Sequence, residues 1–134
     1  MMFTIIFPVL NERLRLENGV TRTVEYLQSI AFEDYEIIIV DNGSEDETPQ
    51  IAEKLCKKYD KVRYERINVR GVGAAFRRGV EVSHGDVVGY MDIDLSTNIR
   101  HLGEAIHLFE TQPEVQYING SRFARESDTK GRKW

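Results

Sequence analysis

The sequence predicts an α/β fold: a Rossmann-like, mainly parallel sheet with helices on both faces. Three observations predict it. Short apolar runs alternate with amphipathic stretches; Ile37, Ile38, Ile39 and Val40 form an unbroken β-branched run suited to a strand buried on both faces; and nothing interrupts the alternation until about Ala124. Repeated β-α alternation implies right-handed crossovers, which lay helices over both surfaces of the sheet.

Taken in order, Phe3 to Phe7 reads as the first strand, and Val20, Val24 and Leu27 mark the buried stripe of the helix after it. Glu36 to Val40 reads as the second strand, with Ile51, Leu55 and Tyr59 as the next helical stripe. Val62 to Ile67 is the third strand, and Arg70-Gly71-Val72-Gly73-Ala74-Ala75 opens a helix behind it. Asp86 to Met91 is the fourth strand; Leu102, Ala105, Ile106 and Phe109 form a helix that closes before Pro113, and Val115 to Ile118 is expected as the fifth strand. From Arg125 to Trp134 apolar periodicity is lost, so a folded domain of residues 1–123 and a basic, loosely held tail of residues 124–134 are expected.

A length of 134 residues suits one domain, and 41% hydrophobic with 30% charged residues excludes disordered and fibrous classes. Eighteen basic against 22 acidic residues, a net charge of −4, argue against nucleic acid as a partner. The charge is uneven: residues 33–60 carry nine acidic and three basic side chains, residues 121–134 five basic and two acidic. A lone cysteine, Cys56, excludes an intrachain disulfide and suits a reducing cytoplasm. No run approaches the roughly 18 apolar residues of a membrane span, so a soluble protein is expected. The basic tail suggests peripheral contact with a phosphate group or anionic lipid at the cytoplasmic membrane face, with a solvated charge run as the plainer alternative.

In parallel α/β sheets, ligands gather beyond the carboxyl ends of the strands. Polar residues recur there: Pro8, Asn11 and Glu12 after the first strand, Asp41-Asn42-Gly43-Ser44 after the second, Asp92-Ile93-Asp94 after the fourth, and Gly120-Ser121-Arg122 after the fifth. Carboxylates crowded at one rim repel one another unless a cation or donors compensate. On an extended segment Asp92 and Asp94 would turn to one face, with Ile93 turned inward. Two hard oxygen donors of this kind suit Mg2+ or Mn2+, which keep positions open for water and phosphate oxygens; two solvated aspartates closing a strand is the alternative.

Ser44 and Glu47, ahead of Pro49, read as a capping box, which leaves Asp41 as the functional candidate of its segment. Gly71 and Gly73 permit close backbone approach at a helix start, useful near phosphate, or else serve a tight turn. Phe76 stands where a dinucleotide-binding fingerprint needs its third glycine, so the dehydrogenase reading fails. His84, His101 and His107 share no metal-ligand spacing and read as surface residues.

In this order and spacing, Phe7-Pro8-Val9-Leu10-Asn11-Glu12, Val40-Asp41-Asn42-Gly43-Ser44, Arg70-Gly71-Val72-Gly73-Ala74-Ala75, Gly85-Asp86, Asp92-Ile93-Asp94 and Gly120-Ser121-Arg122 resemble family-2 glycosyltransferases of the GT-A fold. Around Met91-Asp92-Ile93-Asp94-Leu95-Ser96-Thr97 the likeness is closest to enzymes that load sugars onto polyprenyl or dolichyl phosphate. The resemblance implies a nucleotide diphosphate sugar, UDP- or GDP-linked, as substrate. Pro8, Glu12 and Asp41 would contact base and ribose, Asp92 and Asp94 the ribose, metal and diphosphate, and Arg122 a phosphate. Two departures stand out: Asn42 replaces a second aspartate common in the family, and Val72 a common lysine.

The resemblance further implies inverting transfer of a hexosyl unit, with a polyprenyl phosphate among the acceptors, and no catalytic base is assignable. Family members continue beyond Gly120-Ser121-Arg122 into acceptor-binding elements, so the chain reads as truncated or completed by a partner. A nucleotide-sugar-binding module without turnover is the alternative. A phosphoacceptor receiver domain is disfavoured because Pro8, Asn11 and Glu12 stand where it would need an acidic pair. Homo-oligomerisation is left open.

Overall fold

In a computed structural model of the chain, residues 1–95, 99–112, 114 and 123–125 are described. Through α4 the elements alternate as the sequence predicts: β1 (Phe3–Val9), α1 (Leu16–Ser29), β2 (Tyr35–Asp41), α2 (Thr48–Lys58), β3 (Val62–Arg66), α3 (Val72–Val82), β4 (Val87–Tyr90) and α4 (Arg100–Thr111); β5 (Phe123–Arg125) comes after it. The strands form one sheet in the order β3-β2-β1-β4-β5. The β1–β2, β1–β4 and β2–β3 pairs are parallel, and β5 joins β4 antiparallel.

Strand alternation divides the core between two faces. Phe3, Ile5, Phe7, Ile37 and Ile39 pack with the stripes of α1, α2 and α4, whereas Ile6, Ile38, Val40 and Val88 meet Ala75, Phe76 and Val80 of α3. The run Ile37–Val40 is wholly inaccessible to solvent, as an unbroken β-branched strand between two helical layers requires. Phe76, whose bulk argued against a dinucleotide fingerprint, is a core residue whose ring sits 5.2 Å from that of Tyr90. α3 approaches the sheet closely because Gly79 has no side chain: a Cβ there would meet Ile6 Cγ1 at 2.7 Å.

β1 extends past Phe7 to include Pro8, which pairs with Val40. The Met91 amide donates to the Ile6 carbonyl, so by alternation the Pro8 nitrogen also faces the β4 side, where pairing has already ended at Ile6–Tyr90. The missing N–H therefore removes no ladder bond.

Two expectations are corrected. Ala124 and Arg125, assigned to the tail, belong to β5 and pair with Val88 and Val87. Arg125 Nη2 donates to the Phe109 carbonyl at 2.9 Å, and its guanidinium lies 5.4 Å from the Phe109 ring centroid, closing the end of α4. The predicted strand at Val115–Ile118, and the tail from Glu126 onward, lie outside the described residues.

The capping box is also absent. α2 starts at Thr48 behind Glu47, which makes no side-chain cap, and Ser44 Oγ instead accepts from the Asn11 amide at 2.8 Å. Asp46 takes the capping role, its Oδ1 accepting from the Thr48 amide at 2.9 Å. Its neighbour Pro49 fills the first turn, as predicted.

Candidate functional site

β1 runs beside β2 as far as Val9–Asp41, but beside β4 only as far as Ile6–Tyr90. Beyond that point the chain after β4 departs from β1, and a cleft of about 310 Å³ opens at the carboxyl ends of the strands. Strand order reverses here, with β2 on one side of β1 and β4 on the other, the usual ligand position in such sheets. Pro8, Leu10 and Glu12 line one side, Asn42, Gly71 and Val72 another, and Asp92 and Asp94 a third.

Both aspartates reach the cleft, though not by the predicted route. The segment is a turn rather than an extended strand: the Leu95 amide donates to the Asp92 carbonyl at 2.9 Å, and Leu95 has φ of 55°. Ile93, between them, is buried at 3% exposure, which directs the carboxylates on either side outward. Gly19 of α1 makes room for this turn, since a Cβ there would collide with the Ile93 carbonyl oxygen. A glycine inside a helix costs about 1 kcal/mol relative to alanine; that local penalty is the signal in the sequence that could have pointed to Gly19, which sequence reasoning missed.

Asp41, predicted to contact ligand, is fully buried and is not among the residues lining the cleft. The protein itself uses both its oxygens. Oδ1 accepts from the Gly43 and Ser44 amides at 3.1 and 2.7 Å, and Oδ2 from the Tyr64 hydroxyl at 2.7 Å and Arg66 Nη1 at 3.4 Å. Burial, reinforced by the bond to Asp41, pushes the Tyr64 phenol up to about 12, so it remains a neutral donor at ordinary pH.

Asn11 also stands apart from the cleft lining. Its backbone is left-handed at φ 52°, a conformation asparagine tolerates, and its Oδ1 accepts from the Glu45 amide at 2.8 Å. With the Glu12 amide donating to Thr48 Oγ1 at 2.9 Å, these bonds fasten the loop after β1 to the start of α2. Glu12 itself lines the cleft and accepts from Arg15 Nε at 2.7 Å. Gly71 caps α3 at φ 114°, which favours glycine, and lines the cleft; Gly73, two residues further on, is exposed but outside the lining.

Thus Pro8, Glu12, Gly71, Asp92 and Asp94 converge, Asn11, Asp41 and Gly73 support or flank them, and Arg122 lies outside the described residues. Sequence reasoning missed Asn42 as a lining residue, and Tyr64 and Arg66 as partners of Asp41. The three histidines are exposed, but His84 also joins the buried Glu36: its amide donates to Glu36 Oε2, and its Nδ1 lies 3.3 Å from Oε1. Among the described residues no three His, Cys, Asp or Glu side chains group to hold a metal, and no helix is long and apolar enough to cross a membrane.

Three comparisons bear on this geometry. Glycosyltransferase AglD of Haloferax volcanii is 37% identical over 122 residues, covering 90% of this chain and 19% of the relative. The dolichyl-phosphate beta-glucosyltransferase of Mus musculus is 34% identical, covering 94% and 42%, and the dolichol-phosphate mannosyltransferase of Pyrococcus furiosus 31%, covering 93% and 34%. The chain therefore spans less than half the length of these relatives.

Among solved structures, the Pyrobaculum calidifontis mannosyltransferase PcManGT in complex with GDP-Man and Mn2+ is similar at a TM-score of 0.66 and 23% identity, covering 78% of this chain and 31% of that one. Mycobacterium tuberculosis glucosyl-3-phosphoglycerate synthase in complex with Mn2+ and UDP-Glc is similar at 0.65 and 23%, covering 86% and 41%. At these identities the likeness is one of fold, the GT-A arrangement of a mainly parallel sheet between helical layers. The family model for "Glycosyl transferase family 2" matches residues 4–134, so the β-α order, the crevice at the strand reversal and the sequence agree: the chain belongs to glycosyl transferase family 2, close to the dolichyl-phosphate sugar transferases.

Proposed function

We propose that the cleft binds a nucleotide diphosphate sugar, UDP- or GDP-linked, as the donor half of an inverting hexosyltransferase that uses Mg2+ or Mn2+. The observation that carries this reading is the opening of Asp92 and Asp94 into the same cleft as Pro8, Glu12 and the start of α3. The related structures bound to GDP-Man with Mn2+ and to UDP-Glc with Mn2+ support it.

The residues present fit such a cation. Two carboxylates without a third grouped ligand among the described residues suit Mg2+ or Mn2+, whose remaining positions go to water and phosphate oxygens. Bound there, the cation would offset the charge of the departing nucleoside diphosphate. The chain's own work is positioning. Asp92 and Asp94 hold their oxygens at the mouth of a turn braced by Ile93, Pro8 and Glu12 border the space for base and ribose, and Leu10 and Val72 give apolar wall. Asp41 serves by keeping the loop after β2 in place through Gly43 and Ser44.

The acceptor in this reading is a polyprenyl phosphate, as the names of the dolichyl-phosphate relatives suggest. A phosphate monoester with a second pKa of about 6 is already largely ionised at neutral pH, so its oxygen can attack without a protein base. Such an acceptor would bring the chain to a cytoplasmic membrane face, aided by Arg122, Lys130, Arg132 and Lys133, and self-association is compatible with it. A second reading is a nucleotide-sugar-binding module without turnover.

A thermal-shift panel of UDP-, GDP- and TDP-sugars with and without Mn2+ tests the binding claim. One nucleotide class should stabilise the chain only with metal; no shift with any of them overturns the reading. Transfer to a short polyprenyl phosphate then separates enzyme from binding module. Liposome flotation with residues 126–134 removed reads the role of the tail.

A further inference from the structure

The wall of the cleft formed by the connection from β3 to α3 has little of its own to hold it. Val69, Arg70, Gly71 and Val72 are exposed, with Val69 at 62% and Val72 at 53%, so their side chains add little anchoring burial. Nothing lies within 4 Å of a Cβ built on Gly71, whose φ of 114° favours glycine.

Asn42 reaches this stretch from the body of the fold. That residue follows β2 directly, is only 7% exposed and lines the cleft. Its Nδ2 donates to the Val69 carbonyl at 2.7 Å and to the Gly71 carbonyl at 3.1 Å. One amide group thus spans both sides of Arg70 and ends at the cap of α3.

We infer that Asn42 is a positioning residue of the donor cleft: its side-chain amide pins the Val69–Gly71 loop and thereby sets where Gly71 and Val72 meet the ligand. The pin itself stands on the hydrogen bonds; its consequence for ligand rests on the donor reading above. The chemistry is specific to an amide. An aspartate has the same shape but no hydrogen to give, and would set carboxylate oxygens against two carbonyl oxygens. Alanine removes the donors without adding that repulsion and leaves room for water to serve the carbonyls. Loop order should therefore fall from wild type to Asn42→Ala to Asn42→Asp.

The test is amide hydrogen exchange on the chain and both variants, read separately for residues 68–73 and for the β1 and β2 peptides, with tryptic cleavage after Arg70 as a second readout. In Asn42→Asp, exchange at 68–73 should quicken about tenfold, as the loss of such bonds implies, while β1 and β2 stay protected. Affinity for UDP or GDP with Mn2+, measured by calorimetry, should weaken by about tenfold in step with it. Uniform loss of protection across the sheet in both variants would make Asn42 merely structural and overturn the inference, as would unchanged exchange at 68–73. A loosened loop with unchanged nucleotide affinity would also overturn it. If wild type binds no nucleotide, the donor reading fails, and the exchange data still decide whether the pin exists. Should Asn42→Asp not fold, Asn42→Ala carries the same comparison.

Discussion

The two ends of the sheet use carboxylates in opposite ways. At the amino end Glu36, 7% exposed, receives Thr4 Oγ1 at 2.7 Å, Arg63 Nη2 at 2.7 Å and the His84 amide. At the carboxyl end Asp92 is half-buried, Asp94 is exposed, and both border a cleft. The first carboxylate is enclosed by donors from three separate stretches of chain, whereas the second pair lines an open cleft. A buried charge must be matched within the fold, and a charge on a cleft wall can be matched by what binds there. Asp41 shows that position alone does not decide between the two uses. It stands at the carboxyl end, yet it is enclosed like Glu36.

The contrast can be broken at its strongest point. Glu36→Ala leaves Arg63, Thr4 and the His84 amide without their shared acceptor, so urea unfolding should show a loss of about 3 kcal/mol, with nucleotide affinity unchanged in the folded fraction. Glu36→Gln sharpens the result through pH. Burial alone would raise the Glu36 carboxyl, but the bonds from His84, Thr4 and Arg63 outweigh it and hold it below its usual range. A carboxyl lowered on folding adds stability above its unfolded pKa of about 4.3, and that stability is lost as pH falls through the lower folded value. Acid unfolding curves of Glu36→Gln should accordingly be flatter below about pH 4.3 than those of wild type.

Asp94→Ala should do the reverse. Unfolding stability should stay within about 0.5 kcal/mol of wild type, as is usual for an exposed site. Mn2+-dependent affinity for UDP or GDP should fall by about 100-fold, a change of about 2.7 kcal/mol. Equal affinity by calorimetry would remove Asp94 from the site.

Gly19→Ala probes how the body of the fold supports the cleft. The new methyl collides with the Ile93 carbonyl, so the gain in helix propensity should be overridden by a net loss of about 1–2 kcal/mol. Because the shift falls on the turn between Asp92 and Asp94, nucleotide affinity should drop with it. Thr48→Ala, which removes the acceptor of the Glu12 amide, should cost about 1 kcal/mol in thermal or urea unfolding. The smallest effect is expected from Arg13→Ala, whose exposed pair with Glu47 at 3.6 Å should contribute under about 0.5 kcal/mol.

Read from the sequence alone, much of this molecule was accessible. The fold class, the order of elements through α4, the stripes of α1 and α4, and the crevice at the strand ends follow from local periodicity, which any solvent-facing helix or buried parallel strand must carry. Asp92 and Asp94 were legible as residues of the rim because they follow directly on an apolar strand. The expected extended geometry was wrong because a turn, not a strand, aims them, and that turn depends on α1 passing close at Gly19.

Periodicity says nothing of which way a loop side chain faces. Asp41 and Asn42 are neighbours with similar shape, yet only Asn42 borders the cleft, because Tyr64 and Arg66 enclose the first while Val69 and Gly71 engage the second. Those partners lie 23 to 29 residues further along the chain, and Asn11, which draws Ser44 away from a helix cap, lies 33 residues before it. Sequence by itself determined the layers and the rim on which chemistry is placed, since both are written in repeating local patterns. Only the tertiary structure decided which rim residues line the cleft and which hold the rim in shape, since that depends on donors and acceptors the chain brings together from a distance.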